Sequence, residues 1–307
     1  SIKPWSFSRI KAFEQCPRQF YHMKIAKDYS ESTTDAMLYG TAFHTAAEEY
    51  VRDNELLPAK FSYAQGALDS LQAKRGEKLC EVKMGLTQAL APCDFSAKDV
   101  WWRGIADLVI LDSDIAWVVD YKTGRNTRYA DKGQLELMAL AVFAHFPSVD
   151  TIRAGLLFVV SRELIKDTYT RDMMPVLWDK WLGSYKRMET AHDNSVWNAH
   201  PSGLCKRHCA VLECVHNGSN KMAYSKSPRP YAHEYQLQKN RIAANPTVHT
   251  ARMARQQKRR EYDAKGINRA GKDISHNVAL AKGGSNKDGT RLESPGANRS
   301  RNGKAKA

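Results

Sequence analysis

Apolar residues recur at helical spacing near the start of the chain and at strand spacing in its middle. The runs FSRIKAFEQC and MLYGTAFHTAAEEYV predict two helices between Ser6 and about Val51, with Ser6 and Ser8 as caps. A polar stretch of helical character continues to about residue 80. The runs VWWRGIADLVIL and IAWVVDY, joined by the turn residues DSD, then predict a β-hairpin.

Helical and strand patterns continue to alternate beyond this hairpin. The polar loop TGRNTRYADKG precedes QLELMALAVFAHF, which predicts a buried helix ended by Pro147, and AGLLFVVS predicts a buried strand. A Trp-rich helix is expected from about Met173 to His192. Helices flanking a short, largely hydrophobic sheet indicate an α/β or α+β domain.

The net charge of +14 is concentrated in the C-terminal part of the chain. Residues 219–307 contain 20 of the 47 basic residues and 6 of the 33 acidic residues, so the first 218 residues are neutral. Such a tail favours a polyanionic partner through phosphate neutralisation, and a solvated extension is the alternative. No apolar run approaches the roughly 18 residues of a membrane span, and the first residues lack the apolar centre of a secretory signal. A cytoplasmic protein without membrane contact is therefore expected.

Two acidic residues interrupt strands that are otherwise apolar. Asp107 lies within GIADLVIL and Asp120 near the end of IAWVVDYK, where burying a carboxylate is costly unless it is ion-paired or bound to a metal. Because alternate side chains of a strand share a face, Asp120 and Lys122 should point one way and Tyr121 the other. The pattern predicts a divalent-metal site beside an ammonium, suited to phosphodiester hydrolysis. An ordinary ion pair at a strand end is the alternative.

Several ordered motifs resemble one family of nucleases. The series SFSRIKAFEQCPRQFYHMK, YGTAFHTAAEEY, RGIADLVIL, VVDYKTG and QLELMALAV is similar to the RecB-like branch of the PD-(D/E)XK superfamily over about residues 6–215. The resemblance implies an α/β fold: a restriction-endonuclease-like core with a short mixed sheet flanked by helices, followed by a basic C-terminal extension. It also implies a Mg²⁺- or Mn²⁺-dependent DNA nuclease, expected to be an exonuclease acting on single strands or ends in phage or mobile-element recombination or replication. A catalytically inactive DNA-binding accessory protein is the alternative.

The resemblance also implies roles for individual residues. The family's metal ligands are a helix histidine, two acidic residues and a backbone carbonyl, which correspond to His44, Asp107, Asp120 and Tyr121. Its catalytic residues correspond to Asp107, Asp120 and Lys122, and its glutamine motif to Gln134, which would position the lysine or the substrate phosphate. Gly40, one helical turn before the histidine, would let the backbone pass close to the sheet.

The six cysteines are too few and too unevenly spread for a secreted disulfide framework. Some members of the family bind a 4Fe-4S cluster through one distant and three clustered cysteines, a layout that corresponds to Cys16, Cys205, Cys209 and Cys214. The spacing of the clustered three differs from the family's, and His208 or His216 could join the thiolates in a zinc site. Buried thiols without a metal are the third alternative.

The segment GKDISHNVALAKGGSNKDGTRLESPGANRS resembles phage-type HNH endonucleases, in which a ββα unit binds one metal. The resemblance implies His276 as general base and Asn298 in place of the final ligand. Ser275 stands where that family has an acidic or histidine ligand, and residues 289–290 replace its central asparagine, which implies a DNA-binding relic unless Asp273 supplies the carboxylate. A dual nuclease with an active tail is the alternative. The preceding helix would contact phosphates through Arg252, Arg255, Lys258, Arg259 and Arg260.

These observations divide the chain into three predicted segments. Residues 1–218 form the nuclease domain, residues 219–264 a basic linker and helix, and residues 265–307 the HNH-like tail. DNA is the expected partner, and no protein partner is predicted.

Overall fold

The computed structural model describes residues 1–220, 239–240, 242–243 and 245–302. Within the linker and helix predicted at 219–264, residues 221–238, 241 and 244 lie outside the described residues, as do residues 303–307 of the tail. The chain divides into two compact units: the first is Ser1–Lys11 with Glu31–Tyr185, and the second is Ala12–Ser30 with Lys186–Ala307. This division differs from the boundary expected at residue 218, and the three functional segments stay a prediction.

The α-helices in the described part of the chain include α1 (Phe7–Gln15), α2 (Pro17–Phe20), α3 (Asp35–Asp53), α4 (Gln65–Ala73), α5 (Gly133–His145), α6 (Met174–Asp193), α7 (Pro246–Ala264) and α8 (Pro295–Asn302). The predicted helices at the N-terminus, before Pro147 and in the Trp-rich segment are confirmed. Ser6 caps α1 by accepting a hydrogen bond from the Arg9 backbone N–H at 3.3 Å, whereas Ser8 lies inside the helix, so its predicted capping role is wrong. The basic helix α7 has 19 residues and carries Pro246 in its first turn.

The first unit contains a six-stranded mixed sheet. Its strands, in the order β2-β1-β3-β4-β5-β6, are β1 (Glu77–Leu86), β2 (Pro92–Cys93), β3 (Trp102–Asp112), β4 (Ile115–Lys122), β5 (Thr151–Phe158) and β6 (Glu163–Thr170). Strands β4 and β5 pair in parallel, and the other neighbours pair antiparallel. The predicted hairpin is confirmed: Asp112 pairs with Ile115 across the turn.

Strand β1 replaces the last part of the helical stretch expected to reach residue 80. Helix α4 ends at Ala73, and Gly76 follows with φ of 121°, a backbone conformation that favours glycine and is incompatible with a continuing helix. The sequence EKLCEVKMGL then pairs with β3 from Glu77 to Leu86. Cross-strand pairing outweighs the polar, helix-compatible composition of this segment.

Helices α3 and α4 pack on the β3–β4 pair and form one hydrophobic cluster with it. Phe43, Phe61, Leu68, Leu108 and Tyr121 are all buried in this cluster. Burial of each large apolar side chain contributes roughly 1.5–3 kcal/mol, so the cluster holds α3 firmly against the sheet. Helix α5 is buried at nine of its 13 residues, as its continuous apolar run predicts.

The second unit contains a smaller antiparallel pair, β7 (Asp273–His276) and β8 (Thr290–Glu293). Helix α8 follows β8 directly, so the order strand, strand, helix matches the ββα arrangement expected for the tail. Within the residues that the structure describes, no helix has the length and apolarity required to cross a membrane.

Candidate active site

A histidine of α3, an aspartate of β3 and the end of β4 meet at one point of the first unit. His44 Nδ1 lies 3.0 Å from Asp107 Oδ1, and His44 Nε2 lies 3.1 Å from the Tyr121 carbonyl oxygen. The Tyr121 backbone N–H donates to Asp107 Oδ2 at 2.8 Å. The Phe43 ring, one residue before the histidine, packs edge-on against the buried Tyr121 ring with centroids 5.8 Å apart. Core packing therefore fixes the helix turn that presents the imidazole.

The neighbouring residues of β4 add a carboxylate and an ammonium on the other face of the strand from the Tyr121 ring. Lys122 Nζ lies 2.7 Å from Asp120 Oδ2 and donates to Gln134 Oε1 at 2.8 Å. Gln134, in the first turn of α5, donates from Nε2 to Asp120 Oδ1 at 2.5 Å. The glutamine amide thus holds both partners of the ion pair, which agrees with a lysine-positioning role.

Glu81 joins this site and was missed by the sequence analysis. It lies in β1 between Cys80 and Val82, whose partners on β3 flank Asp107. Its backbone has φ of 49°, a sparsely populated conformation for a residue with a side chain. The side-chain ligand atoms of His44, Glu81 and Asp107 all lie within 4.8 Å of one another. The sequence predicts a helical stretch up to about residue 80, immediately before Glu81. The alternation of polar and apolar residues in VKM is the signal that could have indicated the strand and this glutamate.

Charge repulsion and burial perturb the acids of the site. Burial, followed by the Asp107 charge, raises the pKa of Asp120 to about 6 even though Lys122 opposes the shift. Burial and the same Asp107 charge raise the pKa of Glu81 above its ordinary value. Burial alone would lower the pKa of His44, but contact with Asp107 and nearby carboxylate charges raise it. Such a concentration of negative charge favours a bound cation.

The donors fit a hard divalent cation. Carboxylates and a main-chain carbonyl are the ligand types that Mg²⁺ and Mn²⁺ prefer, and here they lie beside an imidazole and one ammonium. The predicted metal and catalytic residues form two hydrogen-bonded groups that meet on β4, one of His44, Asp107 and Tyr121 and the other of Asp120, Lys122 and Gln134. Asp120 lies outside the group of three close ligand atoms, and the roles of all six residues stay predictions. The expectation for Gly40 is wrong, because a Cβ there would meet only the Thr123 hydroxyl at 3.4 Å, an ordinary contact.

Four cysteines gather in the second unit, and no disulfide joins any of the chain's six cysteines. Burial raises the pKa of the Cys209 thiol, and the thiols of Cys205, Cys16 and Cys214 lie close enough to raise it further. The His200 backbone N–H donates to Cys16 Sγ at 3.5 Å, and the Ser202 backbone N–H donates to Cys205 Sγ at 3.3 Å. Hydrogen bonds of this kind stabilise metal-bound thiolates.

His22 connects the two chain segments that carry these cysteines. Its Nδ1 lies 3.0 Å from Asp28 Oδ2, and its Nε2 lies 3.3 Å from Glu213 Oε1, next to Cys214. The buried imidazole therefore links the residues that follow Cys16 to the clustered cysteines. Cys209 thus lies near the other three thiols, but no three of the four sulfur atoms lie within 4.8 Å of one another, and the identity of any bound group stays a prediction.

The tail residues of the HNH-like segment also meet. Asp273, His276 and Asn298 line a cavity of about 160 Å³ together with Arg255 and Arg259. Asn298 Nδ2 donates to Asp273 Oδ2 at 3.0 Å. His276 Nε2 lies 2.8 Å from the amide oxygen of Asn286. The sequence analysis did not predict this contact, because it placed residues 289–290 at the position of the family's central asparagine.

The predicted DNA contacts of α7 differ in exposure. Arg252, Arg255, Arg259 and Arg260 are exposed, whereas Lys258 is held against Glu261 on the same helix. The four arginines are therefore available to phosphates, and Lys258 already has a carboxylate partner.

Two solved structures are similar to the chain. One is a crystal structure from Eubacterium rectale of a protein provisionally named an exonuclease, with 13% identity, a TM-score of 0.44, and coverage of 76% of this chain and 93% of that one. The other is named SSO0001, with 14% identity, a TM-score of 0.29, and coverage of 56% and 73%. A comparison with curated proteins finds no match.

A family model gives the decisive comparison. The model described as the PD-(D/E)XK nuclease superfamily matches residues 4–214, which include the sheet and every residue of the carboxylate site. The mixed α/β sheet with flanking helices is consistent with the restriction-endonuclease-like fold of that superfamily, so the predicted fold class is confirmed. The chain belongs to the PD-(D/E)XK nuclease superfamily.

Proposed function

We propose that the protein is a Mg²⁺- or Mn²⁺-dependent deoxyribonuclease that hydrolyses phosphodiester bonds at the site around Asp107 and Asp120. The observation that supports this most is that the ligand atoms of His44, Glu81 and Asp107 lie within 4.8 Å of one another, next to the Tyr121 carbonyl and one residue along β4 from the Asp120–Lys122 pair. An ordinary structural ion pair would not require the additional acids Glu81 and Asp107 beside it. A role in phage or mobile-element recombination or replication is part of the proposal and rests on family resemblance alone.

Each side chain has a task in this proposal. His44, Glu81, Asp107 and Asp120, with the Tyr121 carbonyl, would hold the metal, which when bound activates water and offsets charge on the phosphate. Lys122 donates to the attacking water or to the developing oxyanion, and Gln134 keeps the ammonium beside Asp120. Exposed arginines of α7 supply contacts to the DNA backbone.

Asp120→Ala and Lys122→Ala should abolish cleavage while leaving DNA binding nearly unchanged, because Asp120 would hold the metal and Lys122 would donate to the attacking water or the oxyanion. Cleavage of labelled DNA in Mg²⁺ and in Mn²⁺, and binding in EDTA, are the measurements. Lys132→Ala and Asp167→Ala are matched controls, since these residues form an exposed ion pair of 3.3 Å in the same unit. Full cleavage by either site variant would mean that the reaction occurs elsewhere.

The mode of cleavage is proposed to be exonucleolytic, on single strands or ends. End-labelled linear DNA should lose its label stepwise, and circular single- and double-stranded DNA should resist. Rapid nicking of circular DNA would contradict the exonuclease proposal and leave the nuclease proposal intact.

We also propose that Cys16, Cys205, Cys209 and Cys214 bind a 4Fe-4S cluster, supported by the gathering of the four thiols and the N–H donors to two of them. Anaerobically purified protein should be brown, with absorbance near 400 nm that Cys209→Ser removes and Cys93→Ser, outside the group, retains. Zinc in place of iron would support the tetrahedral alternative, and a colourless protein lacking both metals would contradict a metal site.

A second nuclease centre in the tail is the alternative favoured by one observation, the meeting of Asp273, Asn298 and His276 in a single cavity. Here Asp273 would supply the carboxylate that the position of Ser275 lacks, and Asn286 would orient His276. Cleavage that persists in Asp120→Ala and disappears on adding His276→Ala would support this dual nuclease. Complete inactivity of Asp120→Ala would exclude it.

A further inference from the structure

A large cavity lies within the second unit, beside the N-terminal segment, the cysteine segment and α7. Its volume is about 630 Å³, and its lining includes five basic side chains, namely Arg18, Arg259, Arg260, Arg269 and Lys272. The carboxylates of Asp263 and Asp273 also line it, together with the imidazoles of His200 and His216. Five permanently basic groups thus face two acids around one space.

The two acids are already engaged by neighbours. Asp263 accepts hydrogen bonds from Arg269 Nε at 2.9 Å and Nη2 at 3.1 Å, and His200 Nε2 lies 2.8 Å from its Oδ2. Asp273 accepts from the Asn298 amide at 3.0 Å. The charge of Asp263 is therefore neutralised by Arg269, and the Asp273 carboxylate is hydrogen-bonded to a neutral amide, so the five basic groups outnumber the acids.

The remaining cations are without carboxylate partners in the described part of the chain. Arg259 and Arg260 lie on the α7 face that also carries Gln256 and Asp263, at helical spacing, and no described acid pairs with either guanidinium. The Nε of Arg18 is buried and makes no hydrogen bond to any described residue. Guanidinium groups that are buried or clustered and have no carboxylate partner favour binding of an external anion such as phosphate.

An aromatic ring completes the lining. Trp197 lines the cavity and is only partly exposed, and its other contacts hold it in place: its ring centroid lies 5.4 Å from that of Tyr21 and 6.0 Å from that of Phe20. A fixed indole beside phosphate-binding arginines is the combination used to bind single-stranded nucleic acid, in which unpaired bases stack on aromatic rings. A duplex keeps the faces of its bases covered.

We propose that this cavity binds a segment of single-stranded DNA, with backbone phosphates on Arg18, Arg259 and Arg260 and one base against Trp197. The inference extends the proposed function, since a strand held here would be a substrate or product of the nuclease. Binding is measured in EDTA, where no metal-dependent cleavage occurs, so the proposal of strand binding can fail without the proposal of nuclease activity failing, and the reverse.

Affinity of the full chain for fluorescent oligothymidylate in EDTA tests the proposal. The double variant Arg259→Ala/Arg260→Ala should weaken binding at least tenfold and lower the slope of log K against log salt by about 1.4, because each phosphate that the protein no longer neutralises lowers the slope by about 0.7. The control Lys265→Ala/Lys287→Ala removes the same charge from exposed lysines that do not line the cavity, and it should change affinity no more than twofold.

A second arm uses the unmodified protein and so does not depend on the folding of a variant. An abasic strand of the same length and charge should bind roughly tenfold more weakly, because it has no base to stack on Trp197, and a duplex of the same length should also bind more weakly. The proposal would be overturned if the abasic strand or the duplex bound as tightly as the intact single strand. It would also be overturned if the lysine control lost as much affinity as the arginine double variant. Normal binding without any Mg²⁺-dependent cleavage would instead contradict the nuclease function alone.

Discussion

Asp120 is a carboxylate in an unfavourable position when no metal is bound. It is buried, lies near a second acid, and has a pKa raised to about 6 despite the contact with Lys122. A rise from 3.8 to about 6 corresponds to roughly 3 kcal/mol of destabilisation of the ionised form at neutral pH. The ionised Asp120 side chain therefore lowers the free energy of unfolding of the metal-free protein, although this residue is a proposed metal ligand.

Asp120→Asn should raise the free energy of unfolding of the metal-free protein at pH 7.5 by roughly 1–3 kcal/mol, since the amide has no charge to desolvate. The folded pKa lies above the unfolded one, so the wild type loses stability as the pH rises between about 4 and 6. The difference between the two proteins should consequently vanish near pH 4. Urea unfolding in EDTA at pH 4 and pH 7.5 measures both values, and a variant less stable than wild type at pH 7.5 would contradict the electrostatic argument.

The residues of the site differ in how far the sequence could reveal them. Strand periodicity alone indicated Asp107, Asp120 and Lys122, because charges within apolar strands are conspicuous. His44 and Gln134 carry no such signal, since each lies on a helix outside the strands, and only the family resemblance pointed to them. Both were found in contact with the strand residues.

Among the secondary-structure elements, β1 has the largest effect on the site and was the least predictable. It brings Glu81 opposite Asp107, and it begins immediately after Gly76. A Cβ at Gly76 would lie 2.5 Å from the Leu111 carbonyl oxygen of β3, and its φ of 121° excludes most other residues. One glycine thus allows the chain to leave α4 and enter the sheet.

Gly76→Ala should destabilise the protein by roughly 1–3 kcal/mol, because the added methyl group meets backbone atoms and the φ value is strained. Cleavage should decrease as well, since a shift of β1 moves Glu81. Gly66→Ala in α4 is the matched control: a Cβ there meets no atom within 4 Å, and alanine should stabilise the helix by roughly 0.5–1 kcal/mol. Urea midpoints and cleavage rates measure the effects, and equal midpoints for the two variants would contradict the role of Gly76.

Elements with one dominant pattern were predicted correctly, and those with mixed patterns were not. The hairpin β3–β4 and the buried helix α5 have long apolar runs, and both form as expected. Strands β1 and β6 are half-exposed and polar, so their identity depends on pairing with neighbouring strands, which a local pattern does not contain.

Over the whole molecule, charge and catalytic groups are segregated along the chain. The first 218 residues are neutral and contain all the carboxylate-site residues, whereas the excess of positive charge follows residue 218. Composition alone predicted this separation. It did not predict that the second compact unit also includes residues 12–30, which contribute Cys16 and Arg18 to it, because contacts so distant in sequence leave no periodic signal.

The discontinuous second unit imposes an order on folding during synthesis. The first unit is complete once residue 185 leaves the ribosome, but residues 12–30 then lack the rest of the second unit, which begins at Lys186. At roughly 5–20 residues per second, that segment takes on the order of ten seconds to emerge. We expect ribosome-bound chains arrested after the first unit to resist proteolysis within the sheet while remaining cleavable at residues 12–30, and early protection of that segment would contradict this order. The sheet that carries the carboxylate site would then fold before residues 12–30 and the later part of the second unit come together.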